Sequence, residues 1–186
     1  MSNLSNFQLL TKTLAGRIIY LVGMMGSGKS LTGPYLSKAL KYSFVDQDEL
    51  IEKVSKMSIS QIFEEEGETG FRNLETQVLK EIGTRHSLVV ATGGGVVTRA
   101  ENWGILHQGI VVWIDLSKDR LLKRLELDNT KRPLLKNTEL NITIDSLIQE
   151  RHSFYTESDL QIKVEQETPE EVASVILKKL PGIITN

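Results

Sequence analysis

The stretch GMMGSGKS, from Gly23 to Ser30, constrains this chain more than any other. It follows the apolar run RIIYLV (17–22) and precedes an amphipathic stretch over 28–40, so the pattern G-x-x-x-x-G-K-[ST] stands in the strand, loop and helix order that gives it meaning. Glycines let such a loop wrap closely around phosphates with its N–H groups turned inward, and the helix that follows adds positive potential. Gly26, Ser27, Gly28, Lys29, Ser30 and Leu31 are therefore the candidate nucleotide-binding residues. Lys29 can reach the β- and γ-phosphates, and the Ser30 hydroxyl suits magnesium, a hard ion that prefers oxygen.

A loop of this kind needs a buried strand before it, and the rest of the chain supplies a sheet. The runs at 17–22, 43–46, 87–92, 110–115 and 160–164 are short and apolar or β-branched, as buried strands are. Between them lie helical stretches at 28–40, 48–55, 60–82, 99–107, 117–126, 142–157 and 169–180. Strands alternating with helices require crossover connections, so the expected fold is α/β, a parallel five-stranded sheet sandwiched by helices. With 186 residues, one domain over 1–186 is expected. The polar segment 127–140 lacks periodicity and reads as a working loop, and residues 1–16 read as a loosely held N-terminal arm.

Charge and composition narrow the function. Twenty-two basic against 24 acidic residues leave a net charge of -2, which offers no footprint for nucleic acid or an anionic membrane. The absence of cysteine excludes disulfides, thiolate metal sites and cysteine nucleophiles, and fits a reducing, cytoplasmic setting. No run approaches the ~18 apolar residues of a membrane span. His86, His107 and His152 share no metal-ligand spacing and read as solvated or loosely packed, while Trp103 and Trp113 read as packing residues. No N-K-x-D is present for guanine, and the chain is short, which favours a kinase acting on a small molecule.

Several further residues could direct the phosphoryl group. Asp46 and Asp48 sit two apart at the end of the second strand. If the chain stays extended, both carboxylates project to one side, one for the metal and one for an acceptor hydroxyl; alternatively Asp48 is only a helix N-cap. Arg72 follows a glycine-containing turn and leads into a helix. Gly93, Gly94 and Gly95 follow a strand end, where three glycines suit close approach of backbone to a ligand. Arg132 lies in the long loop, placed as a closing lid would place a cation at the γ-phosphate, and Arg151 lies on the next helix.

The order of these features resembles the shikimate kinases, small P-loop kinases, over nearly the whole chain from Arg17 to Leu180. Gly26 to Ser30 match the family's G-x-G-K-S, and Phe44 to Glu52 match F-x-D-x-D-x-x-I-E. Gly67, Glu68, Phe71, Arg72 and Glu75 match G-E-x-x-F-R-x-x-E, and Thr92 to Gly95 match T-G-G-G. Arg132 to Leu135 match the R-P-L-L lid, and Arg151 with Tyr155 match an arginine followed by a tyrosine four residues on. The resemblance implies a nucleoside-monophosphate-kinase-like fold with a mobile lid, and transfer of the ATP γ-phosphoryl group to the 3-hydroxyl of shikimate. It implies that Asp48 acts as base, that Arg72, Arg151 and the Gly93–Gly95 loop hold the substrate, and that Ser30 and Asp46 serve Mg2+. It further implies that Arg132 closes over the phosphates and Arg124 flanks the adenine. The expected partners are shikimate and ATP, the expected working unit a monomer. A kinase for another hydroxy acid such as gluconate, or a catalytically silent nucleotide-binding relative, are the alternatives.

The chain departs from the family at Leu31 to Pro34, where Thr-Val-Gly and a basic residue are usual. Pro34 cannot donate to the Ser30 carbonyl and crowds it, so a kink or wide turn is expected near the magnesium ligand.

Overall fold

The computed structural model describes residues 10–128, 133–135 and 139–184. Five strands form one parallel sheet: β1 (Ile19–Val22), β2 (Ser43–Asp46), β3 (Leu88–Ala91), β4 (Ile110–Leu116) and β5 (Leu160–Val164), in the order β2-β3-β1-β4-β5. β1, β3 and most of β4 are buried on both faces, which is why they read as unbroken apolar runs rather than alternating ones. From β1 the chain runs to the edge strand β2, returns to β3 beside β1 and then crosses to β4 and β5 on the other side, and the crevice at the C-terminal strand ends where the direction reverses is where open α/β sheets bind ligands. The loops after β1, β2 and β3 all open there, with Asp46 of β2 in register with Ala91 of β3.

The helices are α1 (Lys29–Leu40), α2 (Gln47–Ser55), α3 (Ile59–Gly83), α4 (Ala100–Leu106), α5 (Lys118–Leu127), α6 (Leu140–Tyr155) and α7 (Pro169–Ile184). The continuous helix expected over 60–82 is broken. Gly67 has φ 68° and ψ -176°, a conformation that glycine adopts without strain, and it divides α3 into two segments. The first starts with a capping box: Ser58 accepts from the Gln61 N–H while the Gln61 side chain accepts from the Ser58 N–H.

The expected loose arm is docked along its second half. Residues 10–14 are helical, Leu10 is buried and Leu14 is fully so; a buried leucine is worth roughly 2 kcal/mol, enough to hold one helical turn against the core. Residues 1–9 lie outside the described residues.

The kink expected at Pro34 does not appear, and α1 runs unbroken from Lys29 to Leu40. The residue before it is glycine, so the proline ring meets no Cβ there. Gly33 is also required by packing, because a Cβ on it would lie 2.1 Å from the Phe44 ring. The helix thus loses the bond to the Ser30 carbonyl without being broken.

Candidate active site

Gly26 and Gly28 have φ of 76° and 100°, which carries the loop after β1 around an open centre and into α1. Lys29 is buried, and its ammonium donates to the Gly23 carbonyl at 2.8 Å and the Met24 carbonyl at 2.9 Å. Ser27 is buried under the same loop, whereas Leu31 points outward at 64 % exposure. Arg124, expected to flank the adenine, donates from Nη1 to the Gly26 and Ser27 carbonyls, each at 3.2 Å. It braces the loop from α5.

The two aspartates do different work from an extended pair. β2 ends at Asp46, which is itself the N-cap of α2: its Oδ1 accepts from the N–H groups of Asp48 (3.0 Å) and Glu49 (3.4 Å). Its other oxygen accepts from Ser30 Oγ at 2.5 Å. Asp48 lies in the first turn of the helix, and its Oδ1 is buried without a hydrogen-bond partner among the described residues. Burial pushes its carboxyl up to about 6, helped by the charges of Asp46 and Glu75 and opposed by Lys29 and Arg72.

Asp48 borders a cavity of about 300 Å³ whose other walls include Met25, Phe63, Arg72, Glu75, the Gly93–Gly95 loop, Leu134 and Arg151. A solvated surface is the usual place for a lone arginine, yet both arginines are buried. Arg72 is held on two sides, with Nη1 2.9 Å from Glu75 Oε2 and Nη2 3.1 Å from Glu68 Oε1. Burial works against its charge, but the two glutamates outweigh burial and raise its pKa. Arg151 is 2 % exposed, and its Nε and Nη1 have no partner among the described residues. Buried, unpaired guanidinium donors beside a cavity are costly unless a ligand carboxylate or phosphate answers them.

The three glycines after β3 serve packing rather than turning, since none has positive φ. A Cβ on Gly95 would lie 2.3 Å from Arg72 Nη2, and one on Gly93 would lie 2.5 Å from Glu75 Oε1. The loop is bare so that site side chains can lie flat against it. Tyr155 fastens it from α6, donating to the Gly94 carbonyl at 2.6 Å while its ring stacks on Trp113.

Sequence reasoning gave no role to Glu75 or Tyr155. Glu75 is fully buried, and burial raises its carboxyl pKa against the pull of Arg72. A signal existed: Phe71, Glu75 and Leu79 fall at i, i+4 and i+8, which puts a carboxylate on the apolar stripe of its helix. Arg132 lies outside the described residues. His86, His107 and His152 are exposed, as expected, and Trp103 donates to the Val97 carbonyl at 2.9 Å.

Ser30 Oγ and Asp46 Oδ2 place two hard oxygens together at the start of α1 and the end of β2. Among the described residues no group of three histidine, aspartate or glutamate side chains could hold a metal. A divalent ion here would rest on these two oxygens with phosphate and water completing its shell, which is the manner of magnesium.

Fold and site together define a class: a small P-loop phosphotransferase of the nucleoside-monophosphate-kinase-like fold, with a cavity lined by Met25, Asp48, Arg72 and Arg151 next to its phosphate loop. A family profile described as shikimate kinase matches residues 25–181. A shikimate kinase of Prochlorococcus marinus is 68 % identical over 174 residues, which cover 93 % of this chain and 92 % of that one. One from Synechococcus is 54 % identical, covering 94 % and 88 %. Among solved structures, shikimate kinase from Acinetobacter baumannii in complex with shikimate superimposes with a TM-score of 0.88 at 36 % identity, covering 93 % of this chain and 97 % of that one. A gluconokinase from Sinorhizobium meliloti, at 14 % identity and TM-score 0.61, shares the fold alone. The chain belongs to the shikimate kinase family and is an ATP- and magnesium-dependent kinase.

Proposed function

We propose that the cavity between Asp48 and the two arginines holds shikimate, and that this chain transfers the γ-phosphoryl group of ATP to its 3-hydroxyl. The observation that carries the assignment is the cavity's polarity. Its walls bring together the buried Arg72 and Arg151, the latter with Nε and Nη1 unpartnered among the described residues, and the Asp48 carboxyl, whose buried Oδ1 is likewise unpartnered there. A hydroxy acid with a carboxylate at one end and hydroxyls at the other satisfies both.

In this reading the planar forks of Arg72 and Arg151 grip the carboxylate, and the Gly94 backbone lines the ring's resting place. Asp48 Oδ1 accepts a hydrogen bond from the 3-hydroxyl and takes its proton as the oxygen bonds to the γ-phosphorus and the bond to ADP breaks. Lys29 leaves the loop carbonyls for the phosphates, and Arg132 closes over them. Ser30 and Asp46 would hold magnesium, which would supply neutralisation of the phosphate charge. The nucleotide is ATP, and the enzyme works as a monomer in the cytoplasm. The absence of cysteine fits a reducing compartment.

The test is ADP release with ATP, magnesium and either shikimate or gluconate, for the wild type and Asp48→Asn. Shikimate-dependent turnover that falls by at least about a hundredfold in the variant is expected, the usual scale for a general base. Equal turnover on gluconate, or an Asp48→Asn enzyme close to wild type, would overturn the assignment.

A further inference from the structure

Between the two aspartates stands Gln47, a residue type the chemistry does not require. Its side chain is fully buried, and its Nε2 donates to the Glu75 carbonyl at 2.9 Å across 28 residues of sequence. Its Oε1 is buried without a partner among the described residues. A buried primary amide used at one end only is unfavourable in isolation, so its single bond should matter to the structure around it. That bond joins the first turn of α2, which carries Asp48, to the second segment of α3, which carries Arg72 and Glu75. Glu52 makes the equivalent tie to the first segment, accepting from the Ile59 N–H at 2.8 Å. Gly67 separates the two segments, so each needs its own attachment.

The tie works against a repulsion. The carboxylates of Asp48 and Glu75 converge over Gly93: a Cβ there would lie 3.0 Å from Asp48 Oδ1 and 2.5 Å from Glu75 Oε1. Like charges so placed push α2 and α3 apart, and only a neutral donor on α2 can hold an α3 carbonyl without adding charge. We infer that Gln47 is a positioning residue whose amide fixes α2 against the second segment of α3, and so sets the spacing between Asp48 and the substrate-gripping Arg72. The inference rests on the roles proposed above for Asp48 and Arg72.

Gln47→Met keeps the length and burial of the side chain and removes the donor; Gln47→Asn keeps the amide and shortens the reach by one methylene. Steady-state kinetics are measured on each, with Asp48→Asn as the control for the underlying assignment. In the Gln47 variants the KM for shikimate should rise about five- to tenfold with a lower kcat, while the KM for ATP stays within about twofold, the scale of losing one buried hydrogen bond. A purely structural role would instead lower kcat by loss of active enzyme and leave both KM values unchanged, and that result overturns the inference. So does wild-type kinetics in whichever variant folds, provided Asp48→Asn is inactive. If Asp48→Asn stays active, the assignment of the base has failed first.

Discussion

Replacing Asp48 by asparagine should stabilise the nucleotide-free protein while abolishing its activity. Burial beside Asp46 and Glu75 raises the Asp48 carboxyl from 3.8 to about 6. That difference of about two pH units corresponds to about 3 kcal/mol of unfavourable free energy carried by the folded state once the group is ionised. For a chain of this length the removal of that term should raise Tm by roughly 6–12 °C. Since the folded-state value lies above the unfolded one, the folded protein binds the extra proton between about pH 4 and 6. Wild-type stability therefore falls as pH rises through that window and is level above it, whereas the variant lacks this dependence. Thermal melts with a chelator present, at about pH 4.5 and about pH 7.5, should show a small gap at the lower pH and the full gap at the higher. A gap of equal size at both, or a variant that melts below the wild type at the higher pH, would refute the argument from desolvation.

Gly95→Ala should displace the Arg72 guanidinium, because the new Cβ would lie 2.3 Å from it; a rise of about tenfold in the KM for shikimate is expected, with the KM for ATP nearly unchanged. Pro34→Arg should raise Tm by restoring the helical bond to the Ser30 carbonyl, worth up to about 3 kcal/mol. An unchanged or lowered Tm would mean that α1 accommodates the proline without strain.

What could be read from the sequence follows from short-range physics. β1, β3 and β4 were recognisable because inner strands of a parallel sheet are buried on both faces and carry unbroken apolar runs, whereas the edge strands β2 and β5 are only partly buried and gave a weaker signal. The phosphate loop was recognisable because its glycines and Lys29 are needed at fixed spacing on a single turn. Asp46, Asp48, Arg72 and Arg151 could be singled out as candidates, but neighbours in sequence do not settle whether an arginine is solvated or buried. Only the tertiary structure seats Arg72 against Glu75 and Gly95, leaves Arg151 Nε and Nη1 without partners among the described residues, and divides the two aspartates into a cap and a carboxyl with a buried oxygen. The same holds for Arg124, whose place over the P-loop depends on how α5 meets a loop nearly a hundred residues earlier. Local patterns determine which elements form, since periodicity and turn chemistry act over a few residues. Burial, charge pairing and unmet hydrogen bonds arise only when distant segments exclude water from one another, and these decided which carboxylate has the bare oxygen and which arginines face it.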